Sequence, residues 1–212
     1  MADRVRQIPG PSGPLEALVD MPAGAPRVAV GFAHPLPTEG GTMHTKVVYQ
    51  AAKALARIGG VVLRFNFRGV GSSAGEWDEG RGEMDDYRAA VTYMAAQHPS
   101  LEIWAAGFSF GSYIATTVGA EDDRICALIA IAPPVDRYEF ASLRMSRKSK
   151  FIIHGSRDEL ISMKLVRQVY AQLPDPKELV EIDGANHLFD GQATEAGDAL
   201  ADLLEDFSCT KQ

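Results

Sequence analysis

Residues 101–120, LEIWAAGFSFGSYIATTVGA, contain the most informative pattern of the chain. An apolar run typical of a buried strand leads into a glycine-flanked turn, and a helix-length apolar segment follows directly. Ser109 lies at the centre of this turn, in a G-x-S-x-G pattern whose glycines are Gly107 and Gly111. Such a pattern serves catalysis when the serine projects from a strained turn between a strand and a helix. The context predicts a nucleophilic serine at this position, and the alternative is a serine that only caps the helix.

A second G-x-S-x-G copy, GSSAG at residues 71–75, follows a strand-like run but leads into the loop sequence EWDEG. Because no helix follows directly, we predict that Ser73 is a loop residue and not a nucleophile. The overlapping residues 69–74, GVGSSA, also fit the pattern of a dinucleotide-binding loop. That pattern requires an immediate helix and an acidic residue at the end of the next strand. Neither is found here, so we predict no nicotinamide cofactor.

Apolar runs and amphipathic segments alternate along the chain. The strand-like runs are Val28–Ala33, 61–67, 101–108, 125–132, 151–155 and 179–182, and helical spacing marks 45–58, 84–98, 109–119, 162–173 and 190–207. Most of these strands are apolar on both faces, as in a sheet covered on both sides. The alternation predicts an α/β fold with a mostly parallel, doubly wound sheet and helices on both faces. Val5–Ile8 and Leu15–Asp20, joined by a Pro- and Gly-rich turn, predict an antiparallel hairpin at one edge.

The composition fits one globular domain, which we place at residues 1–212. The 28 acidic and 21 basic residues give a net charge of −7, whereas nucleic-acid-binding proteins usually have a basic excess, so we expect no nucleic-acid partner. The first residues, MADR, are polar, and no apolar run reaches the roughly 18 residues of a membrane span. We therefore expect a cytoplasmic location and no membrane partner. Cys126 and Cys209 are isolated from each other, and we expect neither a disulfide framework nor a zinc cluster.

A nucleophilic serine needs an imidazole that accepts its proton and a carboxylate that orients the imidazole. Hydrolases with this kind of turn supply the three groups in the order Ser, Asp or Glu, His. Asp158 follows the predicted strand 151–155, and His187 follows the predicted strand 179–182. Both therefore lie, like Ser109, at the carboxyl ends of parallel strands, where open α/β sheets bind ligands.

Other groups compete for these roles. The alternative carboxylates are Glu159, Asp183 and Asp190, and the last of these is expected to cap the final helix. His154 lies inside a strand-like run and is more typical of a core histidine. His34 follows Val28–Ala33 and is interpreted as a loop anchor.

Acyl transfer also needs two N–H donors for the oxyanion. The residue after the nucleophile, Phe110, offers the first donor. The second donor is expected in the loop after Val28–Ala33, which reads HPLP at residues 34–37. Because proline has no N–H, Leu36 is the donor that residues 35–37 can offer.

These motifs together resemble the α/β-hydrolase superfamily, and within it the small lidless serine hydrolases that are similar to dienelactone hydrolase. The resemblance extends over nearly the whole chain and rests on HP at 34–35, GGTM at 40–43, FNFRGVGSSAG at 65–75, GFSFG at 107–111, HGSRDELIS at 154–162 and GANHLF at 184–189. It implies a carboxylesterase-type enzyme without cofactor or metal, in which Ser109, Asp158 and His187 form a catalytic triad. Two positions depart from the pattern. The nucleophile is a serine where true dienelactone hydrolases have a cysteine, and Ser112 stands where similar sequences often have a second glycine.

Larger relatives insert a helical lid after the strand that ends at position 132, but only residues 133–150 are available here. We therefore predict an open, shallow pocket for short acyl chains, with possible walls at His34, Leu36, Val135, Leu160 and Leu188. The basic residues between 137 and 150 could favour an anionic substrate, although a solvated charge run is the simpler interpretation. The leading hypothesis is an esterase that acts on small-molecule esters. The alternatives are thioesterase, peptidase or perhydrolase activity on the same scaffold, or a noncatalytic binding protein.

Overall fold

The computed structural model describes residues 5–209, which contain one eight-stranded sheet. The strands are β1 Val5–Ile8, β2 Leu15–Asp20, β3 Val28–Ala33, β4 Gly60–Phe65, β5 Glu102–Phe108, β6 Ile125–Ile131, β7 Ser149–Gly155 and β8 Lys177–Ile182. Their order across the sheet is β1-β2-β4-β3-β5-β6-β7-β8. The first residues, MADR, lie outside the described residues, and so do both predicted limits of the domain, residues 1 and 212.

The first two strands form the hairpin at one edge. β1 runs antiparallel to β2, and β2 runs antiparallel to β4, with Ala17 opposite Phe65. The pairs from β4 through β8 are all parallel. The predicted α/β class, the mostly parallel sheet and the edge hairpin are confirmed.

Helices cover both faces of this sheet. Within residues 5–209 they are α1 Lys46–Arg57, α2 Arg81–Gln97, α3 Phe110–Glu121, α4 Ala141–Met145, α5 Met163–Gln172, α6 Ala193–Leu204 and a 3₁₀ turn at Pro37–Glu39. Each face has its own apolar core, because successive side chains of a strand point to opposite sides. In β3, Val30 and Phe32 belong to the core beneath α1 and α6, while Ala29 and Ala33 belong to the core beneath α2 and α3. In this part of the chain, no helix has the combination of length and apolarity that crossing a membrane requires.

The connection from β6 to β7 contains only the short helix α4. Phe140 and Leu143 are buried in this connection. Tyr138 stacks on Tyr113 of α3, with 4.5 Å between the ring centroids. The segment therefore packs against α3 and forms no cap domain, as predicted.

Cys126 and Cys209 form a disulfide bond, which corrects the expectation drawn from their isolation in sequence. Cys126 lies in β6, Cys209 follows α6, and their sequence separation is 83. Arg27 donates hydrogen bonds to the carbonyl oxygens of Leu204 and Phe207, and so ties the end of α6 to the start of β3. The pairing depends on where the chain goes after α6, which the spacing of two cysteines cannot reveal.

Candidate active site

The predicted nucleophile Ser109 lies between β5 and α3, at the carboxyl edge of the sheet. Its backbone has φ 51° and ψ −123°, a conformation that is strained for any residue with a side chain. A Cβ atom on Gly107 would lie 2.2 Å from the carbonyl oxygen of Gly111. A Cβ atom on Gly111 would in turn lie 2.4 Å from the carbonyl oxygens of Ala33 and His34. Both glycines are therefore required for this turn and for the close approach of the loop after β3.

Ser109 occupies the N-cap position of α3, but its side chain makes no capping hydrogen bond. Its Oγ instead lies 2.9 Å from Nε2 of His187. The serine therefore does not serve as the helix cap that the alternative interpretation proposed.

The same imidazole contacts the predicted acid. Nδ1 of His187 lies 2.7 Å from Oδ2 of Asp158, and both side chains are buried. Because a carboxylate can only accept, Nδ1 carries the proton, and Nε2 accepts the hydroxyl hydrogen of Ser109. The second carboxylate oxygen, Oδ1, accepts the N–H groups of Leu160 and Ile161 at 2.9 and 2.8 Å. Three side chains that are far apart in sequence thus form one hydrogen-bonded chain.

Asp158 is held in its ionised form by this environment. Burial alone would raise the pKa of Asp158, because a charged carboxylate loses hydration. The hydrogen bonds from His187 and from the N–H of Ile161, together with the potential of His187, outweigh that effect and lower the pKa of Asp158. The carboxylate can therefore stabilise positive charge on His187 at neutral pH.

The loops that carry Asp158 and His187 meet where β7 and β8 end. A Cβ atom on Gly155, the last residue of β7, would lie 2.4 Å from the carbonyl oxygen of Ala185. The ring of Phe108 lies against the imidazole of His187, with centroids 5.6 Å apart and planes inclined by 33°. Close backbone packing and an aromatic neighbour therefore fix the position of this histidine.

The alternative carboxylates have other partners. Glu159 accepts the backbone N–H of the histidine at 3.3 Å, and Asp183 accepts a serine hydroxyl. Asp190 exchanges two hydrogen bonds with Asn186, and α6 begins only after its N-cap residue Gln192. The interpretation of Asp190 as the helix cap is therefore wrong.

The two predicted oxyanion donors lie in backbone segments that approach each other near Gly111. Phe110 is the first residue of α3, and Leu36 directly precedes the 3₁₀ turn Pro37–Glu39. Gly41 donates its N–H to the carbonyl oxygen of Leu36 at 3.0 Å, which closes this loop. Within residues 5–209, the N–H groups of Leu36 and Phe110 make no hydrogen bond to a protein acceptor. Both are therefore available to an oxygen atom of a ligand.

A cleft of about 600 Å³ opens beside Ser109 and His187. The predicted wall residues Leu36, Leu160 and Leu188 line it. The side chains of Leu160 and Leu188 are 48% and 51% exposed, so they form an apolar rim. The other lining residues are Pro35, Glu39, Gly40, Gly41, Thr45, Phe108, Pro134, Arg137, Glu159 and Ile161.

Two predicted wall residues, His34 and Val135, are not among those that line the cleft, and their assignment to the pocket is corrected. Val135 is partly buried and packs against the core beneath α2 and α3. His34 is fully buried, with its Nδ1 2.7 Å from the carbonyl oxygen of Pro35 and its Nε2 accepting the N–H of Phe67 at 3.0 Å. Burial lowers the pKa of His34 to about 4, although the hydrogen bond to Pro35 acts in the opposite direction. His34 therefore anchors this loop as a neutral imidazole.

Ser73, the centre of the second G-x-S-x-G copy, has a structural role. Its hydroxyl donates to the carbonyl oxygen of Asn66 at 2.7 Å and accepts the N–H of Glu16 at 2.9 Å. The side chain is buried and connects the loop after β4 to the edge hairpin. Ser73 therefore lies in a loop, as predicted, and both hydrogen-bonding directions of its hydroxyl are in use.

Three charged residues in the cleft, Glu39, Arg137 and Glu159, were not predicted as lining residues. Glu159 is named above only as an alternative acid, and Arg137 begins the basic run after β6. A charge run cannot be assigned to a cleft before the course of the connecting segment is known.

Within residues 5–209, one group of side chains has a spacing that could hold a metal ion: Glu102, Cys126 and Cys209. The two sulfur atoms are bonded to each other, and the carboxylate of Glu102 accepts hydrogen bonds from Ser208 and from the N–H of Cys209. This group therefore does not fit a metal site in the disulfide-bonded state.

Comparisons with known proteins identify the family and the fold of this chain. A family model described as serine aminopeptidase, S33, matches residues 33–148. An uncharacterized protein of Rickettsia prowazekii is 35% identical over 205 residues, which cover 92% of this chain and 86% of that protein. The solved structure of an α/β serine hydrolase homologue from Coxiella burnetii has 38% identity and a TM-score of 0.92, covering 96% of this chain and 98% of that one. An α/β serine hydrolase without a lid from Xanthomonas campestris has 37% identity and a TM-score of 0.88, covering 95% of this chain and 93% of that one.

The fold, the serine turn and these relatives define one class of protein. The chain belongs to the α/β-hydrolase superfamily. The resemblance to its small lidless serine members is confirmed.

Proposed function

We propose that this protein is a serine hydrolase that cleaves short-chain carboxylic esters through an acyl-enzyme on Ser109. The observation that carries the proposal is the hydrogen-bonded chain from Ser109 through His187 to Asp158, which opens onto a cleft. Its two distances, 2.9 and 2.7 Å, lie within the range expected for a nucleophile, a base and an orienting acid.

The proposed reaction follows from this arrangement. Ser109 Oγ attacks the acyl carbon while Nε2 of His187 takes the hydroxyl proton, and Asp158 stabilises the resulting imidazolium. The N–H groups of Phe110 and Leu36 bind the oxyanion of the tetrahedral intermediate. The imidazolium then protonates the leaving alcohol, the acyl–enzyme forms, and water activated by the same histidine releases the acid. This sequence of steps uses no cofactor and no metal ion.

The shape of the cleft supports the choice of substrate. No cap domain covers the site within residues 5–209, and Leu160 and Leu188 offer apolar contacts at the rim. An open cleft with a small apolar wall suits short acyl chains of small-molecule esters better than long ones. We propose that the enzyme acts in the cytoplasm.

A fluorophosphonate probe tests the assignment of the nucleophile. We expect covalent labelling of the wild-type protein and of Ser73→Ala, and no labelling of Ser109→Ala. Hydrolysis of p-nitrophenyl acetate should fall by about 10⁴-fold or more in Ser109→Ala and should persist in Ser73→Ala. Labelling that remains in Ser109→Ala, or that disappears in Ser73→Ala while the protein stays folded, would contradict the proposal.

Peptide hydrolysis is a second candidate, because the matching family model is described as a serine aminopeptidase. The same nucleophile and base would serve both reactions, so the difference lies in the leaving group and in the contacts of the cleft. A panel of short-chain p-nitrophenyl esters, thioesters, peracid-forming reactions and amino-acid p-nitroanilides separates the candidates. Because the cleft is open, we expect the highest kcat/KM on esters whose acyl chains have about two to four carbons. A higher kcat/KM on p-nitroanilides would favour the peptidase instead, and labelled protein without turnover of any substrate would favour a binding role.

A further inference from the structure

A second histidine, His154, lies against the carboxylate that orients His187. His154 is in β7, four residues before Asp158, and its side chain is fully buried. Its Nε2 lies 2.9 Å from the carbonyl oxygen of Ile161 and 3.5 Å from Oδ2 of Asp158. This is the same carboxylate oxygen that accepts the hydrogen bond from His187.

The surroundings of His154 determine which form of the imidazole is present. A carbonyl oxygen can only accept, so the proton must be on Nε2, and Nδ1 carries a lone pair. Nδ1 is buried and has no hydrogen-bond partner within residues 5–209. A second proton would therefore place a buried N–H, and a charge, where no acceptor is available. Burial accordingly lowers the pKa of His154, although the hydrogen bond to Ile161 and the charge of Asp158 act in the opposite direction.

Ile161 links this histidine to the acid in a second way. Its carbonyl oxygen accepts from His154, while its N–H donates to Oδ1 of Asp158 at 2.8 Å. The turn between β7 and α5 is therefore fixed at Ile161 by two hydrogen bonds, one from His154 to its carbonyl oxygen and one from its N–H to Asp158. A shift of this carbonyl would move one of the two N–H groups that fix Asp158.

We propose that His154 is a positioning residue for the hydrolase reaction. As a neutral donor it fixes the turn at Ile161, and its imidazole faces Oδ2 of Asp158. It thereby keeps the carboxylate ionised and oriented towards His187. The proposal rests on the function proposed above. The titratable groups that face His154 are Asp158 on its own connection, His187 after β8 and Glu181 in β8, which is paired with it in the sheet register. A charged imidazole here would compete with His187 for the charge of Asp158, whereas a neutral one does not.

A pair of substitutions of similar volume tests the proposal. His154→Gln keeps an amide N–H close to the position of Nε2, and His154→Leu removes the donor. We expect the leucine variant to lose about tenfold in kcat with little change in KM, because the acid is misplaced and not the substrate. We also expect the acid limb of its kcat/KM profile to move to lower pH, because a misplaced carboxylate stabilises positive charge on His187 less. The glutamine variant should keep both the pH profile and most of kcat.

The labelling rate of Ser109 by a fluorophosphonate separates failure of this proposal from failure of the proposed function. If the wild-type protein is not labelled and hydrolyses no ester, the proposed function fails. If the wild-type protein is active and the two variants lose equal activity with unchanged pH profiles, His154 only fills the core and the positioning role is overturned. If His154→Leu does not fold, His154→Asn replaces it, because the shorter amide cannot reach the carbonyl oxygen of Ile161. We then expect the asparagine variant to show the tenfold loss and the shifted acid limb, and wild-type behaviour of this variant would overturn the proposal.

Discussion

His34 is a buried imidazole whose two nitrogen atoms have opposite roles. Nδ1 donates to the carbonyl oxygen of Pro35, and Nε2 accepts the N–H of Phe67. A second proton would remove the acceptor and place a charge in the core, which is why burial lowers the pKa of His34 to about 4. In the unfolded chain a histidine titrates near its ordinary value of about 6.5.

This difference predicts how stability depends on pH. Because the folded pKa of His34 lies below the unfolded pKa, its stabilising contribution is fully present above about pH 6.5 and is lost as the pH falls towards 4. Between pH 7 and pH 5 we expect this group to lower the free energy of unfolding by about 2 kcal/mol. Urea unfolding at the two pH values measures the change.

The control is His34→Gln, which keeps an amide oxygen and an amide N–H but does not titrate. The variant should be less stable than the wild type at pH 7, and its loss between pH 7 and pH 5 should be smaller by about 2 kcal/mol. Equal losses in the two proteins would show that His34 is not the group responsible.

The contact between α3 and the loop after β3 joins the two backbone segments that carry the predicted oxyanion donors. Gly111 lies so close to this loop that a Cβ atom would come within 2.4 Å of two backbone carbonyl oxygens, those of Ala33 and His34. Gly111→Ala must therefore move the loop, and Leu36 with it, away from Phe110. We expect kcat/KM for short esters to fall by about 10² to 10³, the effect of losing one oxyanion donor.

Gly24→Ala is the matched control, because an added Cβ at Gly24 would meet no atom within 4 Å. It should keep wild-type activity and a wild-type melting temperature. Wild-type activity of Gly111→Ala would show that displacing this loop does not impair the reaction, and the assignment of Leu36 as an oxyanion donor would then fail.

The helices and strands show which parts of the fold the chain's periodicity predicts well. β1, β2 and β3 have the predicted limits, and the limits of the other predicted strands and helices agree with the structure to within a few residues. α2 begins at Arg81 instead of 84, because the buried carboxylate of Glu83 accepts the N–H groups of Asp78 and Gly80 and so extends the helix start. α4 was not predicted, because Ala141–Met145 is too short to show a helical repeat.

In the molecule as a whole, the disulfide joins the segment after α6 to the beginning of β6. By the chain-entropy model, a link between residues 83 positions apart stabilises the folded state by about 4.5 kcal/mol. In a protein of this size, reduction should therefore lower the melting temperature by about 10 °C. Thermal unfolding with and without dithiothreitol measures this effect. The disulfide bond also bears on the proposed cytoplasmic location, because thiols in the cytoplasm are mostly kept reduced.

Cys209→Ser provides the control for this prediction. Its melting temperature should equal that of the reduced wild type and should not respond to dithiothreitol. The reaction of Ser109 with a fluorophosphonate should survive reduction at 25 °C, because Cys126 lies at the amino end of β6 and Ser109 follows the carboxyl end of the neighbouring parallel strand. A melting temperature that is the same in both redox states would contradict the predicted stabilisation.

Local patterns were sufficient for the fold class, the edge hairpin, the absence of a cap domain and the choice of Ser109, Asp158 and His187 as candidate residues. Each of these depends on neighbours in the chain: the repeat of apolar residues, the glycines around a turn, or the residue that follows a strand. Other features required the folded structure. They are the disulfide, the burial of His34, the packing of Val135 against the core instead of the cleft, and the contact of His154 with Asp158. These features depend on distances between segments that are remote in sequence or on the direction in which a side chain points. Packing of the whole chain sets such distances and directions, and no repeat in the sequence encodes them.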